Sequence, residues 1–325
     1  MPRGGTIQPA SFMNPRADAE AVDKAFKGPG YKKEVLLDIF ANRSTFQRSL
    51  IQNAYKAGFG ESLKQKVKSE VNGDFKVCLL SSFDDQSHTD ARALYKAMSS
   101  ISTHSNTLME VICTSTNQEI RDIKLAYQDI LQEENKDQKT KNLESDLKSC
   151  TSGNFQRLLV AVSQGMRSER FDPQIAVMDA KILYDAGEGR MGTDDSTFIR
   201  IFATRSWESL RKTDEVYAES FGHGLREAVE RETRGNFRRG LQLILEAATN
   251  RIKCYAKILH ESLKGSGTRD ETLFRMIVGH SESDLALIRH YFNANYPQSL
   301  GEMIKSETHG DYQLFLLAIL RESND

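Results

Sequence analysis

The stretch GRMGTDDSTFIRIFATRS, residues 189–206, decides the fold: a glycine-bearing loop, a polar opening, apolar residues at helical spacing and a polar close. The same order recurs at FKGPGYKKEVLLDIFANRS (26–44) and LKGSGTRDETLFRMIVGHS (263–281) and, without the glycines, at MSSISTHSNTLMEVICTSTN (98–117). Each copy reads as a loop that feeds an amphipathic helix. A second segment follows every copy and turns on a glycine: SEVNGDFKVCLLSSF (69–83), SCTSGNFQRLLVAVS (149–163), RETRGNFRRGLQLIL (231–245) and SETHGDYQLFLLAIL (306–320). These segments predict a turn and then a buried helix. The short side chains before the glycine, such as Asn72 and Ser152, are expected to cap its free amides.

Between the two segments lie a longer amphipathic stretch, such as TFQRSLIQNAYKAGF (45–59) or SDLALIRHYFNANY (283–296), and a shorter one such as ESLKQKVKSE (61–70). With the helix that precedes the loop, about five helices make one unit. The chain is therefore expected to be all-α, with a tail at 1–17 and four repeats at 18–85, 86–169, 170–249 and 250–325. The apolar stripes are core positions and carry fold rather than chemistry.

Composition narrows the function. The 325 residues are 39% hydrophobic and 27% charged with only 6 prolines, which suits a globular helical chain. Basic residues number 44 and acidic residues 45, so no basic excess is available to hold nucleic acid or lipid phosphate by charge alone. A nucleic-acid partner is not expected, and binding to an anionic surface needs a bridge. No run of about 18 apolar residues occurs, and MPRGGTIQPASFMNPRADAE lacks an apolar signal core, so a cytoplasmic protein is expected. Cys78, Cys113, Cys150 and Cys254 are far apart and read as free thiols.

The candidate site lies where loop and acid co-vary. Measured from Gly30, Gly192 and Gly267, an acidic residue falls 40 positions on each time: Glu70, Glu232 and Glu307. In the second repeat the loop is SSIS, without glycine, and Cys150 stands at the aligned position. The two features are present together and lost together, which marks them as one site. Glycine lets a backbone turn so that carbonyl oxygens converge, and a distant glutamate adds two more, the all-oxygen shell a calcium ion takes. With about five protein ligands against the roughly six to eight that calcium accepts, positions stay open for a lipid phosphate. A single carboxylate per site predicts weak affinity in solution, on the order of 0.1 to 1 mM, raised by lipid through linkage.

The fourfold repeat, the loops KGPG, GRMGT and KGSGT, and the phrases DIFANRS and ETRGNF resemble the annexins from about Asp18 to Leu320. That resemblance implies four five-helix repeats, each a right-handed superhelix, in a curved disc with calcium loops on its convex face. It implies a first site from the carbonyls of Phe26, Gly28 and Gly30 with the Glu70 carboxylate. It implies a site from Gly187, Arg190, Gly192 and Glu232 in the third repeat, and one from Leu263, Gly265, Gly267 and Glu307 in the fourth. Lipid phosphate is then expected near Thr193 and Thr268. The implied function is calcium-dependent, reversible binding to acidic, phosphatidylserine-like membranes by a cytoplasmic protein that turns peripheral when calcium rises. Self-association on the membrane, cell-surface presence and protein partners stay open.

This sequence departs from the family pattern in places. Tyr31 stands where the first loop usually has threonine, and Pro29 removes an N–H beside it. Met191 falls at the tip of the third loop, as a flexible apolar side chain suited to entering acyl chains. The second repeat carries a charged insertion at about 132–146. The tail shows no long amphipathic helix for docking in a partner's groove. The main alternative is a calcium-independent helical scaffold with that insertion as a partner site. An enzyme is not expected, because no G-x-S-x-G, P-loop, H-E-x-x-H or kinase set occurs, and His104, His223 and His309 sit in polar stretches that read as exposed.

Overall fold

The computed structural model describes residues 4–134, 140–265 and 267–322. Among these residues all regular structure is helical. The first repeat comprises α1 (Pro15–Ala25), α2 (Lys33–Phe40), α3 (Thr45–Phe59), α4 (Leu63–Glu70) and α5 (Gly73–Ser81). The second comprises α6 (Gln86–Ser99), α7 (Ser105–Ile112), α8 (Asn117–Glu133), α9 (Leu143–Cys150) and α10 (Gly153–Val162). In the third, α11 (Pro173–Ala186), α12 (Asp195–Thr204), α13 (Trp207–Phe221) and α14 (Leu225–Glu232) lead into α15 (Gly235–Leu263), which also supplies the first helix of the fourth repeat. Asn250 breaks α15 at φ −161° and ψ 102°, and its side chain caps the second half of the helix by accepting from the Lys253 amide. The fourth repeat continues with α16 (Asp270–Gly279), α17 (Leu285–Asn295), α18 (Leu300–Glu307) and α19 (Gly310–Leu320).

Local chemistry sets these boundaries. The third helix of the first two repeats opens on a capping box, Ser44 with Gln47 and Thr116 with Glu119, and that of the third on Ser206. Gly60 and Gly222 end α3 and α13 in the left-handed conformation, at φ 74° and 80°. The fourth helices of the last three repeats end differently. Thr151, Thr233 and Thr308 each donate their hydroxyl to the carbonyl four residues back, at Leu147, Val229 and Ile304. Gln156 and Gln313 then reach back from the next helix to donate to the carbonyls of Lys148 and Lys305.

The expected caps at Asn72 and Ser152 are absent: neither side chain accepts from the helix it precedes. Instead the chain turns through Gly73, Gly153, Gly235 and Gly310 at φ between 60° and 66°, a conformation that a side chain resists. The insertion also differs in extent from its reading at 132–146. Leu143–Asp146 form the first turn of α9, with Leu143 buried and Asn142 capping through Ser145. Helix α8 is longer than α3, at 17 residues against 15. Residues 135–139 lie outside the described residues.

Two compact units emerge, one from residues 1–89 and 255–325, the other from 90–254. In the first, Phe75 of α5 meets Phe315 of α19 at 5.9 Å between ring centroids, joining the outer repeats. The segment before α1 lies along this unit. Ile7 is buried and bonds the Ser281 carbonyl, Gln47 exchanges two hydrogen bonds with Ala10, and a Cβ on Gly4 would fall 2.2 Å from the Ser283 oxygen. In the second unit, α10 packs on α12, and Arg157 donates to Ser196.

One ion pair recurs. Arg43, just past α2, grips Asp18 of α1 through two bonds of 2.8 and 3.1 Å, and Arg205, just past α12, grips Asp179 of α11 at 2.5 and 3.0 Å. Asp179 is 1% exposed, so removing its partner strands a buried charge. Arg205→Ala is expected to lower stability by ~3 kcal/mol in urea unfolding, with partial recovery in the Arg205→Ala, Asp179→Ala double variant. A double variant no better than the single would show that the pair is not the cause.

Candidate calcium and membrane site

Each loop is closed by the same backbone bond, from the residue before the second helix to the end of the first. Lys32 donates to Ala25, His104 to Ala97, Asp194 to Ala186 and Arg269 to Ser262, at 2.7 to 3.1 Å. The loop is thereby pinched into a short projecting turn. What the turn meets differs from repeat to repeat.

In the third repeat the loop converges on the acid. The Thr193 hydroxyl sits 2.5 Å from Glu232 Oε2 and 3.1 Å from the Glu232 carbonyl oxygen. A Cβ on Gly187 would fall 2.9 Å from Glu232 Cγ, so only glycine permits this approach. Gly192 turns at φ 76° with open space around it. Asp194 caps α12 through the amides of Ser196 and Thr197, and the Thr197 hydroxyl helps hold its carboxyl below the usual range. Glu188 fixes the other limb. It is nearly buried and receives Tyr217 Oη at 2.7 Å, Arg231 Nη1 at 2.8 Å and His223 Nε2 at 2.9 Å. Burial pushes its carboxyl up, but the bonds from Tyr217, Arg231 and His223 outweigh that and leave it below the usual range. His223 is thus drawn into this network, contrary to its reading as exposed, whereas His309 is exposed and so is His104.

The fourth repeat repeats the key contact, with Thr268 Oγ1 donating to the Glu307 carbonyl at 3.1 Å. Gly265 turns at φ 121°, Gly267 lies in open space, and Leu263 anchors the loop with a buried side chain. Ser266 lies outside the described residues.

The first repeat is arranged differently. Gly28 and Gly30 turn at φ 114° and 79° beside the buried Phe26. The Glu70 carboxylate is held by Lys66, one helical turn back, at 2.9 Å. Tyr31, in the threonine's place, donates to Asp311 at 2.8 Å and packs its ring 5.8 Å from Phe75. Burial, with the hydrogen bond to Asp311 behind it, raises the Tyr31 hydroxyl to about 12.

The second repeat keeps the frame without the acid. Thr103 donates to the Cys150 carbonyl at 3.2 Å, as its counterparts do. Burial raises the Cys150 thiol, which is half-buried, whereas the other three thiols are buried. Ile101, at the tip of this loop, is 111% exposed, and Met191 at the tip of the third is 101% exposed.

These residues fit a hard cation held mainly by carbonyls. No group of three or more His, Cys, Asp or Glu side chains is placed to hold a metal among the described residues. Each candidate loop is paired with one carboxylate at the end of a fourth helix, and each carries at least one glycine in the left-handed conformation, Gly28 and Gly30, Gly192, and Gly265, with open space around it. Sequence reasoning missed three features. Lys66 was visible as an i−4 lysine before Glu70, and Ile101 as the residue aligned with Met191. The pairing of Glu188 with His223, 35 residues apart, left no local signal.

A family model described as Annexin matches residues 17–81, 89–162, 178–244 and 255–319. Human annexin A7 is 42% identical over 318 residues, 97% of this chain, and the chain spans only 64% of that relative's length. Human annexin A13 is 39% identical over 93% of this chain and 94% of its own. Among solved structures, annexin III matches with a TM-score of 0.93 and 34% identity over 99% of this chain and 98% of that one. A structure titled calcium-bound annexin (Sm)1 matches with a TM-score of 0.86 and 29% identity, over 100% and 95% of the two chains. Annexins in general bind phospholipid in a calcium-dependent manner, are non-enzymatic, and are cytoplasmic and peripheral to membranes. With four matched repeats covering most of its length, this chain belongs to the annexin family.

Proposed function

We propose that this chain docks reversibly on acidic phospholipid membranes, and that its first, third and fourth repeats hold the calcium that joins protein to lipid. The observation that carries the reading is the convergence of loop 187–193 on Glu232. The carbonyls of Gly187, Arg190 and Gly192 with the Glu232 carboxylate form the third-repeat set. Phe26, Gly28, Gly30 and Glu70 form the first, and Leu263, Gly265, Gly267 and Glu307 the fourth. Bound calcium supplies positive charge and open coordination positions that a lipid phosphate oxygen can fill.

The chain's own residues determine how readily each set works. Thr193 bonds Glu232 and so orients the carboxylate toward the loop; on docking, its hydroxyl and that of Thr268 face the lipid phosphate. Met191 exposes an apolar tip that gains by leaving water for acyl chains. In the first repeat Glu70 must release Lys66 before it can ligate, which makes this the weakest of the three.

Sedimentation with phosphatidylserine vesicles tests the reading. Wild type is expected to pellet in about 1 mM calcium and to stay soluble with chelator, in keeping with weak calcium modules. The triple variant Glu70→Gln, Glu232→Gln, Glu307→Gln is expected to stay soluble in both. Pelleting that ignores chelator and variant alike would favour the calcium-independent scaffold. Gly187→Ala removes no carboxylate from the sequence, yet should abolish calcium binding at the third repeat by pushing Glu232 aside; unchanged calorimetric binding would contradict the proposed set. Lys66→Met should tighten calcium at the first repeat by about fivefold, the worth of a surface ion pair near 1 kcal/mol. Calorimetry in a Glu232→Gln, Glu307→Gln background reads that site alone, and no change would show that Lys66 does not compete.

A further inference from the structure

We infer that the second repeat, which lacks the calcium set, still contacts the membrane by inserting Ile101 into the acyl region of an acidic bilayer. The inference rests on the docking proposed above and adds to it a contact that needs no ion of its own. Ile101 and Met191 occupy the same place in their loops. Each stands two residues before the threonine whose hydroxyl bonds the last carbonyl of the fourth helix, Cys150 in one repeat and Glu232 in the other. Both side chains are fully exposed, so no part of the described chain covers either.

The two loops belong to one unit. Cys150 and Glu232 line a single cavity of about 600 Å³, together with Ser105 and Asp195, which begin the helices that follow the two loops. The anchoring ends of the two loops are therefore neighbours within this unit.

The chemistry of this loop also suits a bilayer rather than water. From Met98 to Ser105 it carries no acid, lysine or arginine. Part of its polar surface is satisfied within the fold: Ser100 Oγ lies 2.6 Å from the Ser102 carbonyl and 3.1 Å from that of Ala97, and the His104 amide bonds Ala97, while the Ser99, Ser102 and His104 side chains stay exposed. Insertion of the Ile101 side chain alone carries no acid, lysine or arginine with it and leaves the exposed Ser99, Ser102 and His104 at the headgroup level, where their hydrogen bonds are kept. A single exposed isoleucine on a protein surface is ordinary. An isoleucine at the apex of a loop matched in position to Met191, and beside the candidate calcium loop of the third repeat, is placed for lipid. Moving its side chain out of water is worth about tenfold in partition.

A tryptophan reporter tests this directly. Trp207 is the sole tryptophan, so Ile101→Trp in a Trp207→Phe background reports on the tip alone, and Met191→Trp serves as the reference. With phosphatidylserine vesicles and calcium, Ile101→Trp emission is expected to shift to the blue and to be quenched by brominated acyl chains. Emission that stays water-like while the protein pellets and Met191→Trp is quenched would overturn the inference and leave docking intact. Failure of all variants and wild type to pellet would overturn both. Independently, Ile101→Ser with all calcium sites kept should weaken vesicle affinity about tenfold at fixed calcium; unaltered affinity would contradict insertion.

Discussion

In three of the four repeats the hydroxyl of one threonine, bonded to the final carbonyl of a helix some forty residues later, ties the loop to the place where the acid stands. It recurs at Thr103 with Cys150, Thr193 with Glu232 and Thr268 with Glu307, at 3.1 to 3.2 Å. It survives in the second repeat, where the acid is gone. The frame is therefore a property of the fold, held by packed helices and by the backbone bond that pinches each loop shut. The carboxylate is an addition to a geometry that exists without it. This explains why one repeat can lack both acid and glycines while the helices around it keep their places.

The same frame is tuned by its neighbours. In the third repeat a hydroxyl aims Glu232 at the loop, and Glu188 braces the loop from the opposite limb through Tyr217, His223 and Arg231. In the first repeat a lysine holds the acid, and Tyr31 replaces the threonine and turns to Asp311. Three loops that look alike in sequence thus start from different electrostatic ground. A carboxylate engaged by lysine costs a cation part of its binding energy, whereas one aimed by a hydroxyl has less to lose.

Much of this was legible because repetition amplifies weak signals. A single glycine loop reads as an ordinary helix connection, but the interval from Gly30, Gly192 and Gly267 to an acid is the same 40 residues each time, and that fixed the helical returns between them. The features that escaped were those repetition does not encode. The caps expected at Asn72 and Ser152 failed because the following glycine takes a left-handed turn, which composition around it does not reveal. His223 looked like a solvated loop residue, and only the tertiary return of α13 and α14 brings it to Glu188. The close approach of Gly4 to Ser283 joins residues at opposite ends of the chain, beyond the reach of any local pattern.

We propose one carboxylate-completed calcium set in each of the first, third and fourth repeats and none in the second. Equilibrium dialysis of calcium against protein on phosphatidylserine vesicles measures this directly. The account predicts that bound calcium falls stepwise with each of Glu70→Gln, Glu232→Gln and Glu307→Gln, while Cys150→Ala changes nothing. Calcium uptake that is indifferent to these glutamates, or that falls when Cys150 is replaced, would contradict it.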